Sequence, residues 1–203
     1  MKNKNENAVG GFDNDTIKNS GVRRLRYAPD RNPYSSFGPE GLVELMFHVR
    51  NKLGVNLLGA EVGCCIGEST GLFLASKLFS RFFAVDRWEQ RKAEAIRWIF
   101  NRRLSRFENL QVLNMYSEEG AKSIETLSGG KKLDFVYIDA DHEYESIKND
   151  IACWLPHIRK GGIISGHDYR KNFPGVIQAV HEAFGEHNVT VFIDGSWLVE
   201  LPE

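Results

Sequence analysis

From residue 55 onward, short apolar runs alternate with longer amphipathic stretches. That rhythm predicts strands at 56–62, 81–86, 110–114, 133–139 and 161–166, with helices at 69–80, 88–106, 117–127 and 143–159 between them. In the last of these helices Tyr144, Ile147, Ile151, Leu155 and Ile158 recur at helical spacing, an apolar face suited to lie on a sheet. Strand–helix alternation with short connections implies parallel strands wound with helices on both faces. Upstream, Pro39 suits the first turn of a helix carrying Leu42, Leu45, Met46 and Val49 on one side. Downstream, a helix near 174–185 precedes the β-rich run 189–199, which has Asp194-Gly195 at its centre. Asp-Gly between two such runs is a hairpin signal, so the sheet is expected to end in antiparallel strands. The fold class that follows is α/β, a doubly wound seven-stranded sheet, mostly parallel, with a C-terminal antiparallel hairpin strand.

Composition narrows the class. The chain has 203 residues, 42% of them hydrophobic, enough for one full core. Residues 1–38 read as an N-terminal arm, its first 20 or so rich in Asn, Gly and charge, and 39–203 as the folded domain. A formal net charge of -1 argues against a nucleic-acid partner, which usually needs a basic face. Three cysteines, two of them adjacent, do not make a disulfide scaffold, which points to a reduced, cytoplasmic setting. No apolar run reaches the roughly 18 residues of a membrane span, and the N-terminus lacks the apolar core of a secretory signal.

The expected chemistry gathers at the ends of the strands. The first strand closes on Glu61-Val62-Gly63-Cys64-Cys65-Ile66-Gly67-Glu68-Ser69-Thr70, an acid followed by a small-residue turn and a helix start. Such a turn brings ligand close to the backbone and offers free N–H groups at a helix N-terminus. Two glycines in a strand-to-helix turn also arise from close packing alone. The second strand ends in Asp86, about 20 residues past the glycine turn, the place of an acid that accepts both hydroxyls of a ribose. Capping the next helix is the competing role for Asp86. After the third strand, Met115, Tyr116 and Ser117 offer an apolar wall and a hydroxyl to a flat base, though Ser117 also suits a helix N-cap.

Two neighbouring strand tips then supply Asp139, Asp141, His142, His167 and Asp168. Ionisable groups crowded this way are costly unless a cation, a ligand or a proton transfer uses them. Asp141 and His142 stand at the mouth of a helix, where capping is an equal alternative.

With these residues in view, the chain over roughly 55–202 resembles the class I S-adenosylmethionine-dependent methyltransferases. It looks most like the small O-methyltransferases related to catechol O-methyltransferase and to the macrocin and other sugar O-methyltransferases. The resemblance rests on Glu61-x-Gly63-x-x-x-Gly67-x-Ser69, Asp86, Ser117, Ile138-Asp139-x-Asp141-His142, and Gly161-Gly162 with Gly166-His167-Asp168-Tyr169. It implies a Rossmann-like fold and S-adenosylmethionine as cofactor. The amino-acid end of that cofactor falls to Glu61, Gly63, Gly67 and Ser69, with Cys64, Cys65 and Thr70 in the same turn. The ribose falls to Asp86, with Arg87 beside it, and the adenine to Tyr116 and Ser117; Asp139 closes the cofactor set. Metal-dependent members hold Mg²⁺ or another divalent cation through positions that are Asp139, His167 and Asp168 here. His167 stands where many relatives have Asp, and imidazole is a poor ligand for Mg²⁺, so metal dependence stays open. No Lys occupies the place of the catechol-type base, and the Asp that sugar-modifying relatives carry is Asp141.

A sulfonium methyl is already electrophilic. The protein must hold an oxygen in line with it and remove the oxygen's proton. His167 or Asp141 is expected to take that proton, with Asp139 and Asp168 orienting a cation or the base, and His142 is the alternative base. The acceptor is expected to be a small hydroxylated molecule, a sugar, polyol or phenol, with N- and C-methylation left open. Tyr34 and Phe37, together with the segment 169–174, are expected to form a lid over it. The face carrying Arg97, Trp98, Arg102 and Arg103 is either solvated or a contact between copies in a homo-oligomer. An NAD-dependent oxidoreductase is the competing enzyme, and a nucleoside-binding module without catalysis the competing non-enzyme. The absence of a regular Gly-x-Gly-x-x-Gly and the hairpin ending weigh against the first.

Overall fold

A computed structural model describes residues 40–89 and 92–203. The arm, with Tyr34 and Phe37, lies outside them. The elements in chain order are α1 (Glu40–Leu53), β1 (Leu57–Val62), α2 (Glu68–Ala75), β2 (Phe79–Asp86), α3 (Ala93–Leu104) and β3 (Leu110–Asn114). There follow α4 (Ser117–Leu127), β4 (Leu133–Ile138), α5 (Tyr144–Trp154), β5 (Ile158–Gly166), α6 (Pro174–Phe184), β6 (Thr190–Val191) and β7 (Trp197–Glu200). The seven strands lie in the order β3-β2-β1-β4-β5-β7-β6; β7 is antiparallel to both its neighbours, β5 and β6, and the remaining pairings are parallel. Among the described residues no helix is long and apolar enough to cross a membrane.

Helices cover both faces, which is why the strands read as unbroken apolar runs. On β2, Phe82 and Ala84 face the layer of α1, α2 and α3, where Leu45, Met46, Phe73 and Phe100 pack. Phe83 and Val85 face the layer of α4, α5 and α6 with Ile124, Ile151, Trp154 and Val180. The first layer centres on Phe73, fully buried among Tyr137, Phe135, Phe82 and Phe79 at ring-centroid distances of 5.0, 5.3, 5.4 and 6.2 Å.

Three helices, with the strands beside them, end or begin away from where the apolar pattern predicts, each for a local reason. The helix after β1 ends at Ala75, because the Ser76 hydroxyl donates to Phe73 O, accepts from Leu78 N–H, and Lys77 turns to φ 59°. β2 therefore starts at Phe79. The next helix starts at Ala93 instead of 88, since Trp88 and Lys92 both hold left-handed backbone, φ 43° and 68°. The long helix stops at Trp154 because Pro156 has no N–H to continue it; Leu155–His157 form a 3₁₀ turn and Ile158 belongs to β5. The hairpin forms as expected. Phe192 N–H donates to Ser196 O at 2.8 Å and Gly195 takes φ 83°, so Asp194-Gly195 closes a three-residue loop.

The strand order reverses between β1 and β4, and such a switch point leaves a crevice at the carboxyl ends of the strands. Two hydrogen bonds extend the ladder just past the strand ends there: Gly63 N–H to Val85 O at 2.9 Å, and Asp139 N–H to Val62 O at 2.8 Å. Glu61 sits one step inside that edge, wholly buried, its two carboxyl oxygens accepting the hydroxyls of Ser69 and Thr70. This tie fixes α2 against β1. Burial, partly offset by the two hydroxyls, raises the Glu61 carboxyl to about 8.

Two stability measurements check this packing. Phe73→Ala is expected to cost about 3–5 kcal/mol in denaturant unfolding, as emptied aromatic sites do. Glu61 keeps its proton in the folded chain and loses it near 4.5 once unfolded, so folding is weakened as pH rises from 4.5 through 8. Glu61→Gln removes that slope. The variant is expected to gain on wild type between pH 5 and pH 9, on the order of a few kcal/mol; parallel stability–pH curves would contradict the assignment.

Candidate active site

A cleft of about 700 Å³ lies over the tips of β1, β2 and β4, walled by the starts of α4 and α5. That volume suits one small ligand. From the β1 turn, Gly63 and Cys65 line it; from β2, Asp86 and Arg87; from the β3–α4 turn, Met115, Tyr116 and Ser117. Asp139, Ala140 and Asp141 supply the β4 side, and Ser146, Asn149 and Asp150 of α5 close it.

The glycines of the turn have structural work beside any ligand. Gly63 holds φ 87°, and a Cβ there would stand 2.2 Å from Asp139 O. Gly67 holds φ 77° at the start of α2, and its Cβ would meet Leu104 and Phe100 at 2.7 and 2.8 Å. Asp86 ties the turn down. One carboxylate oxygen accepts the N–H groups of Cys64 and Cys65 at 2.9 and 2.8 Å, and the other accepts Trp88 N–H at 2.7 Å. Helix α3 begins beyond Lys92, so Asp86 does not cap it. Three of the carboxylate's roughly four lone-pair sites are thus taken, which leaves one, on the oxygen that accepts Trp88 N–H, for a ligand hydroxyl. Arg103 donates to Ile66 O at 3.0 Å and steadies the turn from α3, a role that its placement on a solvated or intersubunit face does not anticipate.

Of the candidate ligand-holding residues, Glu61, Cys64 and Thr70 are buried behind the turn, while Ser69 is half-buried and directed at Glu61. Cys64 points its thiol at Glu61 O and Val85 O, away from the cleft. Tyr116 is half-exposed at the rim, its hydroxyl donating to Glu89 at 2.8 Å and its ring lying 5.5 Å from the Arg87 guanidinium. Ser117 is the first residue of α4, not its cap, and its hydroxyl turns inward to accept Trp154 Nε1–H at 2.9 Å. The α5 wall went unnoticed in the sequence. Its signal is there, since Ser146, Asn149 and Asp150 stand at helical i, i+3, i+4 spacing opposite the apolar face.

Beside the cleft, β4 and β5 bring five ionisable groups together. Asp168 stands between two imidazoles: His142 Nε2 lies 2.7 Å from one oxygen and His167 Nδ1 3.2 Å from the other. Its backbone takes φ 61°, a left-handed conformation that Asp tolerates better than most residues. His167 Nδ1 also lies 4.0 Å from Asp139. Burial alone would lower His167, but the bond to Asp168 and the charge of Asp139 outweigh it and raise it to about 9. Burial raises Asp139 to about 7 against the pull of His167. Asp168 stays low because its imidazole partners overcome its burial. Asp141 has a different task. It accepts His142 N–H at 2.7 Å, Glu143 N–H at 3.3 Å and the Ser146 hydroxyl at 3.0 Å, and despite some desolvation these bonds hold it low. It organises the start of α5 while still facing the cleft.

Among the described residues, Asp139, His142 and Asp168 form a group whose donor atoms all lie within 4.8 Å of one another. The metal set expected from the sequence held His167 in place of His142. Two carboxylates and one imidazole fit a divalent transition ion better than Mg²⁺, which favours an all-oxygen shell. From the segment 169–174, Phe173 packs on the His142 ring at 4.5 Å, whereas Tyr169 turns inward to His181.

A family model described as a methyltransferase domain matches residues 60–169, more than half of the chain. An uncharacterised protein of Acanthamoeba polyphaga mimivirus, R132, is 28% identical over 153 residues; the match spans 68% of this chain and 66%, just under two thirds, of that relative. Among solved structures, an O-methyltransferase from Bacillus cereus, solved in complex with SAH, superposes with a TM-score of 0.60 at 18% identity, covering 97% of this chain and 94% of that one. The apo structure of CalS11, a TDP-rhamnose 3'-O-methyltransferase of calicheamicin biosynthesis, gives 0.57 at 16% identity over 82% and 87%. Such identities speak for the fold alone. The family match runs from β1 through β5 and takes in both halves of the cleft's edge, and by it the chain belongs to the family of methyltransferase domains.

Proposed function

We propose that the protein transfers a methyl group from S-adenosylmethionine to a hydroxyl of a small acceptor, a sugar, polyol or phenol. The observation that carries this reading is one continuous cleft that runs from Asp86 past the Gly63 turn to Asp139 and Asp141. Asp86 takes a ribose hydroxyl on the oxygen that also accepts Trp88 N–H. The cofactor's amino-acid end lies along the backbone of Gly63 to Cys65. The sulfonium then points toward the tips of β4 and β5, where the negative charge collects. Support also comes from the family match and from the SAH-bound Bacillus cereus structure of the same fold.

Attack on a sulfonium methyl needs mainly alignment, and positioning alone can lower a barrier by about 7–11 kcal/mol. Deprotonation falls to His142. Asp141 spends its carboxylate on the start of α5, and His167 is held as a cation by Asp139 and Asp168. His142 keeps Nδ1 free of the bond that Nε2 makes to Asp168, and Asp168 remains an anion that orients the ring. Asp139, which lines the cleft, accepts the acceptor's hydrogen bond and holds the oxygen in line. A divalent cation would sit on Asp139, His142 and Asp168, where it would acidify the acceptor hydroxyl.

The test incubates purified protein with S-adenosylmethionine and a panel of catechols, free sugars and nucleotide sugars, and reads methylated product by mass spectrometry. His142→Ala is expected to lower kcat by about 10²–10⁴-fold and to leave the calorimetric affinity for S-adenosylhomocysteine within about twofold. EDTA separates the two uses of the cluster: activity that survives it assigns the proton to His142, and activity lost and then restored by Mn²⁺ assigns the cluster to a cation. Heat on titration with NADH and none with S-adenosylhomocysteine would overturn the methyltransfer reading in favour of a dehydrogenase.

A further inference from the structure

The wall of the cleft carries an acid that methyl transfer does not use. Asp150 lies on α5 with only 8% of its surface exposed, and it faces the cleft beside Ser117 and across from Met115 and Tyr116. The charges nearest it that bear on its ionisation, Asp141 and Glu118, are negative. Its position is set by a directed chain of hydrogen bonds. The indole N–H of Trp154, itself fully buried, donates to Ser117 Oγ at 2.9 Å. An indole nitrogen can only donate, so the hydroxyl's own proton is left for the side chain of Asp150, to which Ser117 is hydrogen-bonded. The chain runs one way, from Trp154 through Ser117 to Asp150.

We propose that Asp150 reads the 6-position of the cofactor's purine, accepting a hydrogen bond from the exocyclic amine of adenine. The inference rests on the reading that the cleft takes an adenosyl cofactor. With the ribose on Asp86, the base extends toward the start of α4, over Met115, and its edge meets α5. An acceptor-only oxygen there pairs with an amine. Against the carbonyl of a 6-oxopurine it sets two acceptors face to face, and a buried acceptor left without a donor is costly. Burial raises the Asp150 carboxyl only to about 6, so the accepting form persists at neutral pH. A Ser117 proton committed to Asp150 is not available to the base.

The measurement is a comparison of S-adenosylhomocysteine with its deaminated analogue S-inosylhomocysteine, by calorimetry at neutral pH. Wild-type protein is expected to favour the adenosyl compound by about tenfold or more. In Asp150→Asn the Ser117 hydroxyl donates to the amide oxygen, which turns the amide N–H₂ to the cleft as a donor. The preference is then expected to vanish or to invert in favour of the inosyl compound. An equal loss of affinity for both compounds, with the ratio unmoved, would make Asp150 a merely structural partner of Ser117 and overturn the inference. Equal affinity of the two compounds for wild-type protein overturns it without any variant. If neither compound binds wild-type protein, the cofactor reading itself falls and takes this inference with it.

Discussion

The carboxyl edge of the sheet depends on the contact of Gly63 with the backbone of Asp139 and Ala140. Gly63 donates to β2 through Val85 O, its left-handed backbone turns the chain away from β1, and its missing side chain leaves room for the tip of β4. A Cβ placed 2.2 Å from Asp139 O and 2.4 Å from Ala140 Cα cannot be accommodated by side-chain movement, because both atoms belong to the main chain. Without that abutment the turn after β1 and the acids at the tip of β4 would line two separate sites. With it they form one cleft.

Electrostatics make the arrangement tolerable. Asp139 and Asp168 would repel each other at the tips of adjacent strands, but His167 is a cation between them, and Asp168 shares its second oxygen with His142. On the other side Asp86 is neutralised by dipoles: three backbone N–H groups converge on its two oxygens. Glu61, wholly buried, is relieved by holding its proton. Four acids at one edge thus meet burial in three ways, by an imidazolium, by oriented amides and by protonation.

Much of this was legible in the chain because it follows from periodicity and punctuation. The alternation of apolar strands and amphipathic helices, and Asp194-Gly195 near the end, specify the seven strands and the reversal of β7. The errors lie where backbone conformation outweighs pattern: Pro156 ends a helix whose apolar spacing continues to Ile158, and Trp88 and Lys92 hold left-handed backbone where a helix was expected. Within the site, strand-end acids were readable because a strand tip is a fixed place. Which imidazole joins Asp139 and Asp168 was not, since that depends on how the loop after β4 folds over the one after β5. Nor was the pairing of Glu61 on β1 with Ser69 and Thr70 on α2, which depends on how the start of that helix lies against the strand. Asp150 was hidden because the polar set it forms with Ser146 and Asn149 on an amphipathic helix looks like solvated surface until the tertiary fold buries part of it.

The central claim is spatial: one adenosyl ligand spans the cleft, its ribose on the β2 acid and its sulfur beside the β4 acid. A crystal structure of the complex with S-adenosylhomocysteine tests it most directly. The account predicts a ribose hydroxyl within hydrogen-bonding distance of Asp86 and the thioether sulfur turned toward Asp139. A ligand bound away from Asp86, or one whose sulfur points away from the tips of β4 and β5, would contradict it.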